Sequence, residues 1–434
     1  MKLNKTLILL SLTLFSFCKS TQNSAEASAN NVTQSETAQA NSNIQDNMKH
    51  ETDPPSSLQQ GMTDFAFRFF KQQSEENHME SFCVSPVSLE VALGMAYVGA
   101  KTETAIEMSH VLGFPLSTED FLAQMTEYYT MLKQLELTDS IEFSVANRVF
   151  LEKSYLLLDS YTSAMKNAFG GEFEQMDFLS KTREAEQKIN QWVEEVTRNR
   201  IKQLIRPGLL DASTVMVLVN AIYFKADWKY AFDEKSTLEM PFYSGERGKV
   251  DRFFMRGKMD RVKYLKYKDY QILELPYVGE AFSLMVVLPG QSSASDIHTR
   301  ILTAEEYAEV NERLLTRDVY VELPKFKIES SFELANILAA MGMPLAFSNM
   351  ADFSGIGGRK DLKISKVIQK VFFEITEKGS EAAAATAVVM TRTSSAIKKP
   401  EEEIKFIANR PFIFVLKENK THSPLFIGQY TGRD

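Results

Sequence analysis

The chain has 434 residues, 44% of them hydrophobic and 24% charged, and a formal net charge of -8. A chain of this length usually divides into two domains. No Pro/Gly/Ser-rich run, single-sign charge run or repeat of 20 to 50 residues interrupts residues 58–434, so we expect one domain there. The acidic excess is mixed with basic residues, which favours solubility and argues against nucleic acid as the main partner.

The N-terminus has the pattern of an export signal. Lys2 and Lys5 precede an apolar run, residues 6–17, that is too short to span a bilayer but suits a signal-peptide core. The run ends at Cys18, as in a bacterial lipoprotein signal whose cysteine becomes the acylated first residue. Phe17 departs from the small residue expected there, so ordinary secretion with cleavage elsewhere stays open.

We therefore predict three parts for the whole chain. Residues 1–18 form a signal peptide of lipoprotein type, and residues 19–57, rich in Ser, Thr, Asn, Gln and Ala, form a disordered tether. Residues 58–434 form the folded domain. The expected location is the outer membrane or cell surface through a lipid on Cys18, or the extracellular space.

The folded part mixes two hydrophobic periods. Apolar residues recur at helical spacing over 62–69 and 89–96, and apolar runs at 215–224 and 283–288 predict strands buried on both faces. Alternation over 319–323 predicts a half-buried strand, with a proline next in the chain to end or bulge it. These patterns predict an α+β fold built on large sheets.

Residues suited to catalysis are sparse. Cys83 lies in an apolar block, where a small buried hydrophobe is expected, and no disulfide framework forms if Cys18 is lipidated or removed. None of the five histidines belongs to a metal-spaced pair or a nucleophile motif. We predict no metal site, no cofactor and no hydrolase activity.

A segment with almost no side-chain bulk, residues 377–389 (EKGSEAAAATAVV), follows an apolar strand at 371–375. Alanine is the best helix former, so a surface helix capped by Ser380 is one interpretation. Gly379 and the Thr and Val residues after the alanines continue a helix poorly and favour a strand or loop. In a strand, one face carries no charge. That face comprises Ser380, Ala382, Ala384, Thr386 and Val388.

This segment, together with FIANRPFIFVL and PLFIGQY further on, resembles the hinge, reactive loop and C-terminal strands of the serpins. Other serpin-like blocks occur in the expected order and cover roughly residues 58–432. The resemblance implies a serpin fold, with three β-sheets surrounded by eight or nine helices and an exposed reactive-centre loop at about residues 377–400. The longest blocks are FCVSPVSLEVALGMAYVGA, INQWVEEVTRNRI, VNAIYFKADWKYAFD, LELPYVGEAFSLMVVLP and LPKFKIESSFELANILAAMGM.

The resemblance also implies a mechanism, suicide-substrate inhibition of proteases, and no enzymatic activity. A protease attacks the loop, and the cut hinge then inserts as a new central strand and traps the acyl-enzyme. Residues 379–393, at about 3.3 Å each, extend about 50 Å, the scale of a domain. The hinge residues that the resemblance implies are Glu377, Gly379, Ser380, Glu381, Ala382, Ala383, Ala384, Ala385 and Thr386.

Family spacing places the scissile bond between Thr393 and Ser394, or between Arg392 and Thr393 if the hinge is one residue shorter. Arg392 suits trypsin-like serine proteases and Arg-specific cysteine proteases. Thr393 suits enzymes with elastase-like or broad pockets. The apolar residues 388–390 suit elastase, chymotrypsin-like and papain-like enzymes. We therefore expect a monomeric inhibitor of broad specificity, with endopeptidases as partners.

Several positions support the sheet through which the loop inserts. The resemblance places Gln369 beneath the hinge, where a histidine is usual, and Asn220, Trp228 and Ser85 in the same supporting region. An amide can still donate and accept, so we expect altered energetics of loop opening there. Thr102 stands where the family usually has glycine, which puts only that turn in doubt.

A serpin-fold protein that does not inhibit, such as a carrier, chaperone or surface interaction protein, is the alternative. Such members carry bulky, charged or proline residues in the hinge. The small hinge of this chain favours inhibition, because a buried strand face tolerates small uncharged residues.

Overall fold

Nine helices and fifteen strands make up the described part of the chain. The computed structural model describes residues 57–135, 141–244, 248–290, 297, 301–380 and 403–433. All of them lie within one compact unit, residues 54–434. The helices are α1 (Leu58–Glu76), α2 (Pro86–Tyr97), α3 (Thr102–Leu112), α4 (Thr118–Leu135), α5 (Asp159–Phe169), α6 (Phe178–Val196), α7 (Ala304–Arg313), α8 (Ala335–Ala340) and α9 (Ser354–Gly357).

The strands form two hydrogen-bonded sheets. The larger has the order β1-β15-β14-β8-β7-β6-β9-β13 with β5 on β6, and the smaller has the order β10-β11-β4-β2-β3 with β12 on β4. The strands are β1 (Phe82–Val84), β2 (Ile141–Glu152), β3 (Phe173–Met176), β4 (Met216–Asp227), β5 (Leu238–Tyr243), β6 (Lys249–Tyr267), β7 (Tyr270–Pro276), β8 (Phe282–Pro289), β9 (Leu315–Pro324), β10 (Phe326–Glu333), β11 (Lys366–Ile375), β12 (Gly379–Ser380), β13 (Ile404–Ile407), β14 (Phe412–Glu418) and β15 (Pro424–Tyr430).

The long strand β6 explains why two sheets are seen where three were implied. Its first part pairs with β5 and β9, and its last part, Lys263–Tyr267, pairs with β7. One strand thus joins two of the implied sheets into a single hydrogen-bonded network. The predicted strands at 215–224, 283–288 and 319–323 correspond to β4, β8 and β9, and β9 ends at Pro324 as expected.

Helix α2 lies between the two sheets, where it contacts β2, β4 and β15. Every residue of α2 is buried, and the predicted helical spacing in this region is confirmed. Pro86 occupies the first turn, where no amide donor is needed, and the Ser85 hydroxyl caps the helix by accepting from the Ser88 amide at 3.4 Å. The start of α2 is thereby fixed beneath the smaller sheet.

Strand β4 is covered on both faces, as its continuous apolar sequence predicted. Leu218 and Ile222 belong to the main core, while Val217 and Val219 belong to a second core. The second core is completed by α6 and by the segment that connects α6 to β4. A strand inserted beside β4 would therefore enter a layer with apolar groups on both sides.

Thr102 has a backbone conformation that glycine would adopt at a lower free-energy cost. Its φ of 50° lies in the left-handed region, which a β-branched residue adopts at a cost of about 1 kcal/mol or more. The Thr102 hydroxyl donates to Asp352 Oδ2 at 3.1 Å. Burial opposes ionisation of Asp352, but hydrogen bonds from Lys360, Ser354 and Thr102 hold the pKa of that carboxyl well below its usual range. The turn departs from the pattern only locally.

Within the described residues, no helix is long and apolar enough to cross a membrane. In the same part of the chain, no group of three His, Cys, Asp or Glu side chains could hold a metal ion. Cys83 is free and buried, as predicted.

Glu90 of α2 gives a prediction about pH. Its side chain is fully buried, and neither carboxylate oxygen has a hydrogen-bond partner among the described residues. Burial raises the pKa of Glu90 well above its usual range, although the charge of Arg68 opposes the shift. A carboxyl with a raised folded pKa lowers the free energy of unfolding progressively as pH rises above its unfolded pKa of about 4.3.

We therefore expect Glu90→Gln to stabilise the protein at pH 7 to 8 and to have little effect below about pH 4. Urea denaturation midpoints measured from pH 4 to pH 8 check this, with the exposed Glu312→Gln as the control. A difference between wild type and Glu90→Gln that does not change with pH would contradict the expectation.

Candidate functional site: the hinge and the sheet opening

The smaller sheet has an opening at one end, between β4 and β11. The two strands are parallel and pair over Val217–Ile222 and Lys366–Val371. Both strands continue past these residues, to Asp227 and Ile375, without pairing to each other there. We call the space between these unpaired ends the sheet opening. Strand edges of this kind carry backbone donors and acceptors that can accept another strand.

The chain itself enters the sheet opening. After β11, the hinge turn (Thr376–Gly379) reverses direction: the Gly379 amide donates to the Thr376 carbonyl at 3.2 Å, and the Thr376 amide donates to the Gly379 carbonyl at 2.8 Å. Strand β12 then pairs antiparallel with β4, with Gly379 opposite Asp227 and Ser380 opposite Ala226. The first two strand residues of the predicted hinge thus occupy the opening.

Only glycine fits at the end of the hinge turn. Gly379 has a φ of 155°, and a Cβ there would lie 2.0 Å from the Ala226 carbonyl oxygen and 2.7 Å from Asp227 Cα. Both neighbours are backbone atoms and cannot move aside as a side chain could. The absence of a side chain at 379 therefore permits the hinge to approach β4.

Ser380 is completely buried next to two aromatic rings. Its hydroxyl lies 2.6 Å from the phenol oxygen of Tyr277. The Tyr277 ring stacks on Trp228, with centroids 4.4 Å apart and planes inclined by 16°. Trp228 donates from its indole to the Thr376 carbonyl at 2.9 Å and from its backbone amide to the Lys378 carbonyl at 2.7 Å. Trp228 thus bonds to two residues of the hinge turn, and Tyr277 bonds to the residue that follows the turn.

Glu377 anchors the same turn to the larger sheet. Its carboxylate accepts from the Thr237 hydroxyl at 2.7 Å and pairs with Lys325 Nζ at 2.9 Å. Burial works against the charge, but the hydrogen bonds from Lys325 and Thr237 lower the pKa of Glu377. The anchoring contribution is therefore present above the usual carboxyl pKa and is lost as pH falls below it.

A second cluster, the amide cluster (Ser85, Ser88, Asn147, Asn220 and Gln369), lies further along the smaller sheet. Gln369 of β11 donates to Asn220 Oδ1 of β4 at 2.7 Å and to the Ser85 carbonyl at 2.8 Å. It also accepts from the Ser85 amide at 3.1 Å. Asn220 in turn donates to Ser88 and Asn147, and the Ser85 hydroxyl donates to the Leu425 carbonyl at 2.7 Å.

The amide cluster joins four elements: β11 through Gln369, β4 through Asn220, β2 through Asn147 and α2 with its cap through Ser85 and Ser88. Gln369 and Asn220 are both fully buried. Separation of β4 from β11 would break the Gln369–Asn220 bond and leave two buried amides to be satisfied in another way.

Comparison with known proteins agrees with this geometry. The family model described as "Serpin (serine protease inhibitor)" matches residues 60–432. A leukocyte elastase inhibitor of Xenopus laevis is 35% identical over 383 residues, which covers 86% of this chain and 99% of the relative. The chain belongs to the serpin family. The predicted α+β serpin fold is confirmed.

Solved serpin structures show the same fold with different functions. Serpin48 of the insect Tenebrio molitor, described as a highly specific serpin, has a TM-score of 0.75 at 30% identity, covering 89% of this chain and 100% of its own. Human thyroxine-binding globulin has a TM-score of 0.76 at 27% identity, covering 86% of this chain and 98% of its own. Family membership alone therefore does not decide what this serpin does.

The structure corrects the predicted placement of Gln369. The sequence placed it beneath the hinge with Trp228, but the parallel register pairs Gln369 with Asn220. Asn220 and Trp228 are about 26 Å apart along the strand direction, at about 3.3 Å per residue. Trp228 supports the hinge, whereas Gln369, Asn220 and Ser85 form the amide cluster. The sequence alone gave no register between β4 and β11, so it could not separate the two clusters.

Some predicted residues lie outside the described part of the serpin. They are Cys18, the hinge residues from Glu381 to Thr386, and the candidate scissile residues Arg392, Thr393 and Ser394. Their roles stay predictions.

Several residues of the site were missed. Tyr277, Lys325 and Thr237 contact the hinge, and Ser88 and Asn147 complete the amide cluster. Tyr277 lies directly after Pro276 in a serpin-like block, where the sequence indicates only a turn aromatic. Its partner Ser380 is 103 positions away, and no local pattern predicts such a contact.

The amide cluster gives a prediction about stability. Gln369→Ala removes three hydrogen bonds and leaves the Ser85 amide and Asn220 Oδ1 short of a buried partner, which should lower the free energy of unfolding by about 2 to 3 kcal/mol. Urea denaturation checks this. The conservative Gln369→His keeps one donor and one acceptor and should retain much of the stability near pH 8. If Gln369→Ala unfolds at the wild-type midpoint, the cluster does not tie β4 to β11.

Proposed function

We propose that this serpin is a suicide-substrate inhibitor of endopeptidases. A target protease cuts the reactive loop and is held as an acyl-enzyme, while the loop inserts into the smaller sheet between β4 and β11. The observation that carries the proposal is the position of β12, which already pairs with β4 inside the sheet opening.

The register of β12 supports insertion of the whole hinge. Gly379 and Ser380 are antiparallel to β4, and an unbroken continuation would set Ala382 opposite Phe224, Ala384 opposite Ile222 and Thr386 opposite Asn220. Residues that are directly opposite in an antiparallel pair share a face of the sheet. The uncharged hinge face would therefore meet the main core, to which Phe224 and Ile222 belong.

Insertion also has a driving force in this mechanism. The unpaired ends of β4 and β11 would gain backbone partners, and a strand covered on both faces would bury apolar surface. The free-energy cost of insertion is expected mainly where Gln369 and Asn220 separate and lose their hydrogen bond. Thr386, expected between them, has a hydroxyl that both donates and accepts and could replace their lost hydrogen bond.

The target class follows from the loop sequence. Arg392 suits the acidic pockets of trypsin-like and Arg-specific enzymes, and Thr393 suits elastase-like enzymes. The elastase inhibitor among the relatives supports elastase-like enzymes as one class. We expect serine endopeptidases as the main partners and papain-like cysteine proteases as further targets. A carrier function would predict bulky or charged residues on the inserting face of the hinge. The face formed by Ser380, Ala382, Ala384 and Thr386 has neither.

The test mixes the purified protein separately with trypsin, an elastase and a papain-like protease, followed by denaturing electrophoresis and mass spectrometry. A covalent adduct that survives denaturation is expected, together with a released C-terminal peptide that begins at Ser394 or Thr393. The Ser380→Arg variant should be cleaved without an adduct, because an arginine would enter the buried face of the inserted strand.

The matched control for Ser380→Arg is Lys378→Arg, which keeps a partly exposed charge in the same turn and should still form the adduct. Clean cleavage of the wild type by every protease would contradict the proposal. Adduct formation by Ser380→Arg at the wild-type level would show that the hinge does not insert.

We also propose that the chain is exported and that Cys18 carries a lipid. The support is the charged and apolar N-terminal pattern of residues 1–18. Expression in a bacterial host with radiolabelled palmitate should label the wild type and leave Cys18→Ala unlabelled, whereas Cys83→Ala should be labelled normally. Unlabelled wild type in the medium would instead indicate ordinary secretion.

A further inference from the structure

A buried group of charged side chains lies on the larger sheet. Lys417 of β14 and Glu274 of β7 are both almost completely buried, and Lys417 Nζ lies 2.7 Å from Glu274 Oε2. Lys263 of β6 pairs with the other carboxylate oxygen at 3.4 Å, and Lys417 also donates to the Asn311 side chain of α7. Both oxygens of Glu274 thus already face an ammonium group.

His422 lies beside this ion pair. It belongs to the β14–β15 turn (residues 419–423), and its Nδ1 is 3.5 Å from Lys417 Nζ. An ammonium group can only donate, so the ring nitrogen that faces it carries no proton and accepts. A protonated ring would set two positive charges 3.5 Å apart in a partly buried place. Burial, and then the charge of Lys417, lowers the pKa of His422.

Two carboxylates lie near His422 among the described residues, and neither is free to neutralise a charged ring. Glu274 already faces two ammonium groups. Glu418 is buried, and its oxygens accept from the backbone amides of Lys420 and Thr421 at 2.8 Å and 2.7 Å. Lys420 itself is exposed and adds positive charge to the turn. The surroundings therefore fit a neutral His422 and oppose a charged one.

The β14–β15 turn also contacts two helices through adjacent carbonyl groups. Tyr307 of α7 donates from its phenol to the His422 carbonyl at 2.8 Å, and burial raises the pKa of that phenol, so it stays a donor. Gln59, near the start of α1, donates from its side chain to the Thr421 carbonyl at 2.5 Å. Movement of the turn that takes a charged His422 away from Lys417 would disturb both contacts.

We propose that His422 is a pH-sensitive switch, which holds the β14–β15 turn against α1 and α7 when neutral and releases it when protonated. Above the usual histidine pKa of about 6.5, the ring is neutral in the folded and the unfolded chain. Below that pH, the released or unfolded chain binds a proton more readily than the docked turn, so the stability of docking is lost as pH falls. Because opening of the turn alone admits the proton, the first response to acid is local.

Hydrogen exchange of the full-length protein at pH 7.5 and pH 5.0, corrected for the intrinsic pH dependence of amide exchange, tests this. Opening over residues 417–423 and 58–62 should increase about 3- to 10-fold at the lower pH. His422→Asn keeps an acceptor, tolerates the φ of 59° at this position and cannot titrate, so it should lose the increase. His110→Asn changes an exposed histidine and is the matched control, which should respond to acid as the wild type does.

An NMR titration of the imidazole signals gives a second readout. The signal of His422, assigned by its loss in His422→Asn, should titrate below the usual histidine value of about 6.5. Lys417→Gln should raise that pKa, because it removes the nearest positive charge. Titration of His422 at or above 6.5 in the wild type would overturn the proposal, even if Lys417→Gln does not fold.

The exchange data can also contradict the switch. A side chain that only packs in the turn would leave His422→Asn with the same acid response as the wild type. An increase in exchange spread evenly over the whole domain would show global acid unfolding instead of a local release. Either result would overturn the proposal, and neither depends on whether the serpin inhibits a protease.

Discussion

The structure depends on a pair of parallel strands that stop pairing before they end. Beyond Ile222 and Val371, β4 and β11 no longer pair with each other, so each strand has one edge without the other as a partner. Buried backbone groups need partners. The protein satisfies the first of them with its own hinge, and the residues around this opening are those that hold the hinge in place.

Two hydrogen-bonded devices act on the opening from different positions. At its mouth, Trp228 and Tyr277 hold the hinge, while Glu377 joins the hinge turn to Lys325. Further along, Gln369 joins β11 to β4 and to the cap of α2. The first device lies where an inserting strand would start, and the second lies where β4 and β11 would have to separate for that strand to continue. A charged residue on the inserting face would oppose insertion at both positions, because a charge buried there would have no compensating partner.

Much of this could be predicted from residues that act locally. The fold could be predicted from the continuous apolar sequence of β4, the end of β9 at Pro324 and the family order of blocks. The location of the hinge could be predicted from its small residues. The register between β4 and β11 could not be predicted, because the two strands lie far apart in the chain and no hairpin turn joins them to set their pairing. That gap misplaced Gln369 by about 26 Å. Tyr277 was missed for a related reason, since its role comes only from a contact with distant Ser380.

The central claim is that the cut loop continues the strand that β12 begins. The most direct test is a crystal structure of the protein after cleavage of the reactive loop. The account predicts a new strand between β4 and β11, with Thr386 opposite Asn220 and Gln369 no longer bonded to Asn220. A cleaved protein in which β4 and β11 stay paired over Val217–Ile222 and Lys366–Val371, with the cut loop outside the sheet, would contradict it.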